Sequence, residues 1–122
     1  MPKVLVLIGA IVMTALLTIV NFINLKSIPQ VGLGYEDKLY HVGVYMVFSF
    51  LWAYWSLLYF KKNVIFITGL SCLFYGILLE ILQNIVNPSR TFDMLDLLSN
   101  CLGVVFGIVI AAFWYKQNVK LN

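Results

Sequence analysis

The sequence predicts an all-α membrane protein with four transmembrane helices in an antiparallel, up-down-up-down bundle. Hydrophobic residues make up 62% of the 122 residues and charged residues only 11%, whereas a soluble domain averages about 45–50% apolar and about 25% charged residues. So few charges cannot cover a surface that faces water, and the mean hydropathy of +0.96 agrees with this. Four apolar segments, each close to the roughly 20 residues that cross a bilayer, fill a single domain over residues 1–122.

The first span is expected at residues 4–25. Its apolar stretch runs from Val4 to Val20, which is longer than the roughly 7–15 residues of a secretion-signal core. No small-x-small cleavage site follows it. We therefore expect a helix that stays in the protein and not a cleaved signal.

The other three spans are expected at residues 40–60, 64–86 and 94–115. The connections between the spans are residues 26–39, 61–63 and 87–93. The first connection contains Pro29 and two glycines, and the last begins with Asn87-Pro88, which stops a helix. Because short connections join helices that lie side by side, consecutive spans should run antiparallel.

The lysines and arginines predict the orientation in the inner, or plasma, membrane. One side of the membrane would carry Lys3, Lys61, Lys62, Lys116 and Lys120, and the other side Lys26, Lys38 and Arg90. The side richer in positive charge is normally cytoplasmic, so both termini should face the cytoplasm. The net charge of +3 is spread over segment ends, so no basic face for nucleic acid is present, and the lipid bilayer is the expected partner.

Polar residues of the predicted spans concentrate at one end of the bundle, on its extracytoplasmic side. They form three stretches at helical spacing: Asp37, His41 and Tyr45; Glu80 and Gln83; Arg90, Asp93, Asp96 and Asn100. Glu80 and Asn100 each lie six residues inside a predicted span, which is about 9 Å at a rise of about 1.5 Å per residue. Ionisable groups at such depth are costly and commonly functional, so the pattern predicts one polar site.

The residue types in this site suggest several kinds of chemistry. The candidate catalytic residues are His41, Glu80 and Asp93, and the candidate binding residues are Asp37, Tyr45, Gln83, Arg90, Asp96 and Asn100. Asp37 could orient His41 as a base, the carboxylates could hold a divalent metal through oxygen, and Arg90 could bind a phosphate. Neither a metal nor a cofactor is identified by any strong motif, and neither a nucleophile elbow nor a P-loop is present.

Structural roles for the same residues remain open. The polar side chains could join the helices by hydrogen bonds, and Glu80 could be paired or simply protonated in apolar surroundings. Gly103-x-x-x-Gly107 is typical of a close helix-packing face. Cys72 and Cys101 lie in apolar segments and are interpreted as small buried residues and not as metal ligands.

The polar stretches together resemble the VanZ-like family. The matching motifs are Asp37-Lys38-x-x-His41, Tyr75-Gly76-x-x-x-Glu80-x-x-Gln83, and Arg90-Thr91-Phe92-Asp93-x-x-Asp96-x-x-x-Asn100-x-x-Gly103. They extend over about residues 35–107, more than half of the chain. The combination of three motifs is fairly specific, although each one alone would be weak.

This resemblance implies a bacterial integral membrane protein, in a family whose name-giving member is associated with resistance to the glycopeptide teicoplanin. It does not supply a biochemical activity, and whether the chain is an enzyme stays open. The first hypothesis is a cell-envelope protein that binds or modifies a lipid-linked precursor or a glycopeptide-related target and so lowers teicoplanin sensitivity. The alternatives are an interface enzyme that transfers phosphoryl or acyl groups on a lipid-linked substrate, and a structural partner, in which a homodimer is possible.

Overall fold

The computed structural model describes residues 3–22, 36–60, 64–86 and 94–121, and every element in this part of the chain is helical. The four helices are α1 (Lys3–Phe22), α2 (Glu36–Phe60), α3 (Ile65–Val86) and α4 (Met94–Leu121). The predicted all-α fold is therefore confirmed. Large apolar side chains point outward on these helices, and Phe66, Phe74 and Phe113 are each more than 60% exposed, as expected where the surroundings are hydrocarbon and not water.

Three helices are long and apolar enough to cross a membrane. These spans are His41–Phe60, Ile65–Gln83 and Leu97–Gln117. The apolar part of α1, Lys3–Ile19, is shorter. The chain is thus a membrane protein by the length and composition of three helices, and the crossing by α1 remains a prediction.

Two helices extend beyond their expected spans, α2 at its N-terminus and α4 at its C-terminus. α2 begins at Glu36 and not at residue 40, so Asp37 lies in the first turn of the helix and not in the preceding connection. Acidic residues favour helix N-termini because the helix dipole is positive there, and the Asp37–His41 spacing already fits one helical turn. α4 continues to Leu121, six residues past its expected end, with lysines in the added turns.

Contacts between the helices establish their directions. α1 and α2 run antiparallel, because Lys3 lies near Tyr59 whereas Gly9 packs on Leu51. α2 and α3 run antiparallel, because Thr68 bonds to Ser56 whereas Gly76 packs on Tyr45. α2 and α4 run parallel, because His41 bonds to Asn100 and, further along both helices, Met46 contacts Gly107; α3 is therefore antiparallel to α4. α2 and α4 form the most extensive helix pair of the described chain. The predicted up-down-up-down order implies that α2 and α4 point the same way, but it did not predict that they pack most closely.

Gly103 and Gly107 bring α4 into backbone contact with α2. A Cβ atom on Gly103 would lie 2.5 Å from the carbonyl oxygen of Val42, and one on Gly107 would overlap the carbonyl oxygen of Met46 and the hydroxyl of Ser49. Only glycine permits such an approach. The predicted packing role of the Gly-x-x-x-Gly motif is confirmed, and we call this contact the α2–α4 seam.

α1 lies on the other side of the molecule, against α2 and α3, and its backbone does not approach that of α4 in the described part of the chain. A cavity of about 390 Å³, here called the lateral groove, opens between these three helices. Its lining consists of Thr14, Phe48, Trp52, Trp55, Ser56, Phe60, Val64, Ile67, Thr68, Ser71, Cys72 and Tyr75. Cys72 and Cys101 are free thiols, and Cys72 packs in the apolar core as expected.

Candidate polar site

One hydrogen bond connects the polar ends of α2 and α4. Nδ1 of His41 lies 2.9 Å from Oδ1 of Asn100, and both side chains are buried. An amide oxygen only accepts hydrogen bonds, so Nδ1 carries the hydrogen and donates it to Asn100. In the neutral ring, Nε2 is then the nitrogen that carries no hydrogen.

Tyr45 fills the space between α2, α3 and α4, one turn below His41. Its side chain is 1% exposed, and its ring stacks on the His41 ring with 6.5 Å between the centroids. A Cβ atom on Gly76 would lie 2.9 Å from the Tyr45 ring, and one on Gly103 would lie 2.9 Å from the Tyr45 Cβ. Two glycines on two helices thus make room for this one aromatic side chain.

α3 contributes Glu80 and Gln83, which are only 4% and 5% exposed. Gly76 packs against Tyr45, and α2 and α3 run antiparallel. One turn further along each helix, in opposite sequence directions, lie Glu80 and His41. The register therefore places the Glu80 backbone at the level of His41, where the sequence predicted a common polar layer.

The side-chain NH₂ group of Asn100 is a hydrogen-bond donor without an acceptor in the described residues. Asn100 is 2% exposed, and within the described residues no hydrogen-bond partner lies against its Nδ2 atom. The narrow gap beside it, bordered by Tyr45 and Gly76, has no room for a water molecule. A buried donor without a partner costs about 1–3 kcal/mol.

Two buried serines, which were not among the predicted site residues, also lie in this region. Ser99 is 7% exposed and precedes Asn100. Ser49 is fully buried, and its Oγ lies 3.2 Å from the carbonyl oxygen of Val104 in the α2–α4 seam. Ser49 continues the i, i+4 spacing of His41 and Tyr45 by one more turn, and Ser99 follows Asp96 at i, i+3, so helical spacing was the available signal for both.

We call the buried residues at this end the polar cluster, and it consists of His41, Tyr45, Glu80, Gln83, Ser99 and Asn100. Of the other predicted site residues, Arg90 and Asp93 lie outside the described residues, and Asp37 and Asp96 lie on described helices whose side chains at these positions are not described. Within the described part of the chain, no three His, Cys, Asp or Glu side chains are grouped so as to hold a metal ion. The metal hypothesis therefore still depends on Asp37, Asp93 and Asp96.

Comparison with known proteins adds one finding to this geometry. The model of the VanZ/LLP1 family matches residues 5–115, which include most of α1 and α4, all of α2 and α3, and the whole polar cluster. No curated protein and no solved structure matches the chain. Since the family match extends over nearly the full length, the chain belongs to the VanZ/LLP1 family.

Proposed function

We propose that this chain is a cell-envelope protein that binds the polar head of a lipid-linked envelope component above the polar cluster, and that this binding lowers teicoplanin sensitivity. The observation that carries the proposal is the buried His41–Asn100 hydrogen bond, at the same end of the molecule as buried Glu80 and Gln83. Three helices each place buried polar side chains at the same depth, and helix packing alone does not require this coincidence. Membership of the VanZ/LLP1 family supports an envelope role.

The ligand would lie above the cluster and not inside it, because the gap beside Asn100 is too narrow even for water. The connection between α3 and α4 carries Arg90 and Asp93, and chain connectivity brings it to this end of the helices. Arg90 would pair with a phosphate, while Asn100 and His41 would form the polar floor. Asp37 and Asp96, in the first turns of α2 and α4, complete the proposed rim.

We further propose that α1 crosses the membrane as a fourth span and that both termini are cytoplasmic. α1 contains 20 residues, which at about 1.5 Å per residue equals the roughly 30 Å of the hydrocarbon core. Single cysteines in place of Lys38 and Lys62, in a background carrying Cys72→Ala and Cys101→Ala, test the orientation by membrane-impermeant labelling of intact cells. Labelling at position 38 alone is expected, and labelling at position 62 alone would reverse the topology.

Antibiotic susceptibility tests the function. A sensitive bacterial host would express the wild type, Glu80→Gln, Asn100→Leu or an empty vector at equal membrane levels, with teicoplanin and vancomycin tested in parallel. We expect teicoplanin tolerance from the wild type and its loss in both variants. Ser56→Ala is the matched control, because Ser56 is a buried polar residue at the other end of the molecule.

Two outcomes would contradict the proposal. Folded Glu80→Gln and Asn100→Leu variants that keep full tolerance would reduce the polar cluster to a structural role, with its hydrogen bonds joining the helices. A folded wild type that confers no tolerance would separate this chain from the teicoplanin phenotype.

A further inference from the structure

A row of aromatic rings leads from the polar cluster toward α1. The His41 ring stacks on the Tyr45 ring with 6.5 Å between the centroids, and the Tyr45 ring meets the Phe48 ring edge-on at 6.0 Å. The Phe48 ring in turn lies 5.8 Å from the Tyr75 ring. We call these four side chains the ring row. Its first three members share one face of α2, because their spacing is i, i+4 and i+7, and Tyr75 continues the row on α3.

The middle of the ring row is closely packed. Tyr45 and Phe48 are both buried and belong to the same core cluster. A Cβ atom on Gly76 would lie only 2.9 Å from the Tyr45 ring. Side chains packed this closely transmit a displacement, because no free volume absorbs it. A movement of the Phe48 ring should therefore reach His41 through Tyr45.

The Tyr75 end of the ring row is open on one side. Tyr75 is half-buried and borders the lateral groove together with Phe48. Packing alone therefore leaves the Tyr75 ring room to turn away from Phe48. Its hydroxyl, however, is hydrogen-bonded to the Thr18 hydroxyl of α1, so α1 holds the end of the row that packing leaves open.

This hydrogen bond has a defined direction. Oγ1 of Thr18 donates its hydrogen to the Thr14 carbonyl at 2.8 Å, so the Tyr75 hydroxyl is the donor and Thr18 the acceptor. Tyr75 lies inside the span Ile65–Gln83, where a hydroxyl without an acceptor is costly. The bond therefore keeps the Tyr75 ring in its place against Phe48.

A second hydrogen bond of α1 lies outside the ring row. Nε1 of Trp52 donates to Oγ1 of Thr14 at 2.8 Å, and the Trp52 ring meets the Trp55 ring toward the other end of α2. Thr14 and Thr18 are one turn apart on α1, so the two bonds hold neighbouring parts of the same helix. Of the two, only the Thr18 bond ends on a member of the ring row, and the Thr14 bond is therefore a matched control.

We propose that Tyr75 is a positioning residue for the polar cluster. Its ring, held by α1, supports Phe48 and Tyr45 and so keeps His41 in the orientation in which Nδ1 meets Asn100. Tyr75 acts through the ring row and not by contact with a ligand. The inference rests on the function proposed above, and it gives α1, which contributes no residue to the polar cluster, a part in that function.

Nitrogen NMR of the purified full chain in micelles, with isotope-labelled histidine, tests the positioning. The chain has a single histidine, so both imidazole nitrogen signals belong to His41. Tyr75→Phe removes the hydroxyl and keeps the ring, and we expect it to shift the Nδ1 signal by more than the linewidth. Thr18→Val removes the acceptor of the same bond and should shift the signal in the same direction. Thr14→Val, the control, should leave the signal at its wild-type position.

A broken ring row tests the route. Phe48→Leu removes the ring that stands between Tyr45 and Tyr75. In that background, adding Tyr75→Phe should no longer shift the His41 signal, because coupling through a contact is lost with the contact. A shift as large as in the wild-type background would overturn the proposal, since the effect would then reach His41 by another route.

Thermal unfolding of each variant establishes that it is folded. An unchanged His41 signal in folded Tyr75→Phe would overturn the proposal, and so would an equal shift in Thr14→Val, because any loosening of α1 would then disturb the cluster. A purely structural Tyr75 would lower the unfolding temperature without moving the His41 signal.

Teicoplanin susceptibility of the same variants separates this inference from the proposed function. Tolerance that is lost in Tyr75→Phe and kept in Thr14→Val would support both. A wild type that confers no tolerance, with a His41 signal that still shifts in Tyr75→Phe, would contradict the proposed function and support the positioning. Full tolerance together with an unchanged signal in Tyr75→Phe would overturn the positioning alone.

Discussion

The two sides of α2 are packed in different ways. Toward α4, glycines bring the backbones together, and Gly107 leaves no room for a methyl group beside Ser49. Toward α1 and α3, aromatic side chains and hydroxyls stand between the helices, and a cavity remains. This difference indicates that the size of the facing side chains, and not their hydrophobicity, determines which side of a membrane helix packs closely, without a cavity, against its neighbour. We call the α4 side of α2 the closed side and the α1 and α3 side the open side.

The closed side also carries the α2 and α4 residues of the polar cluster. His41, Tyr45 and Ser49 follow one face of α2 toward α4, and the seam fixes the register of that face. The open side carries α1, whose backbone does not approach that of α4 in the described chain. One closely packed helix pair thus supports the candidate site, while the opposite side of α2 borders the lateral groove.

The largest expected effect concerns the seam. Gly107→Ala would place a methyl group against the Met46 carbonyl and the Ser49 hydroxyl, and overpacking of this kind costs roughly 1–3 kcal/mol. Unfolding in detergent micelles should show a loss of that size. The matched control is Gly43→Ala, because Gly43 is helical and nothing lies within 4 Å of its would-be Cβ atom. Equal stability of the two variants would remove the distinction between the sides.

The hydrogen bond within the polar cluster should give the next effect. A double-mutant cycle of His41→Ala and Asn100→Ala should yield a coupling of roughly 0.6–2 kcal/mol, the range for interhelical hydrogen bonds in membranes. The 2.9 Å separation of the two atoms in a buried setting supports this expectation. A coupling of zero in the free energy of unfolding would mean that the pair does not join α2 to α4.

On the open side, the hydrogen bond that holds α1 should be weaker. A cycle of Trp52→Phe and Thr14→Val removes the 2.8 Å bond between the indole and the hydroxyl. We expect a coupling of about 0.6 kcal/mol, because the lateral groove borders both side chains. The same unfolding assay measures it, and a value above that of the His41–Asn100 cycle would reverse the order of the two sides.

The smallest effect is expected for the hydroxyl pair between α2 and α3. Thr68→Val keeps the shape of the side chain but removes its bond to Ser56. Ser56 can then turn to a backbone carbonyl of its own helix, so the loss should stay below about 0.6 kcal/mol. Thr18→Val is the comparison, since Thr18 bonds to Tyr75 across α1 and α3, and a larger loss for Thr68→Val would contradict the ranking.

Periodicity in the sequence predicted the helices and the faces of the polar residues. Spacing of three and four residues placed His41 and Tyr45, and Glu80 and Gln83, on common helix faces, and depth counting brought Asn100 to the level of Glu80 and Tyr45. These inferences succeed because polar groups avoid hydrocarbon, which makes their position in each span informative.

The partnership of α2 with α4 could not be predicted in the same way. Short connections indicate which helices are neighbours along the chain, but they do not indicate which non-consecutive helices pack most closely. The Gly103-x-x-x-Gly107 motif indicated a close contact without naming its partner. Ser99 lies at i, i+3 from Asp96, but a lone serine in an apolar helix is not by itself a site signal, and only the packed structure shows that it is buried beside Asn100.

The α2–α4 seam can form only late in synthesis, because it joins segments that are far apart in the sequence. His41 and Asn100 are separated by 59 positions, and Ser49 and Val104 by 55. α2 and α3 therefore enter the bilayer before their closest partner has left the ribosome, with His41 and Glu80 not yet enclosed by α4. Contacts between distant segments form late, so a nascent chain that stops before residue 94 would keep these polar groups facing lipid and be recognisable as unfinished.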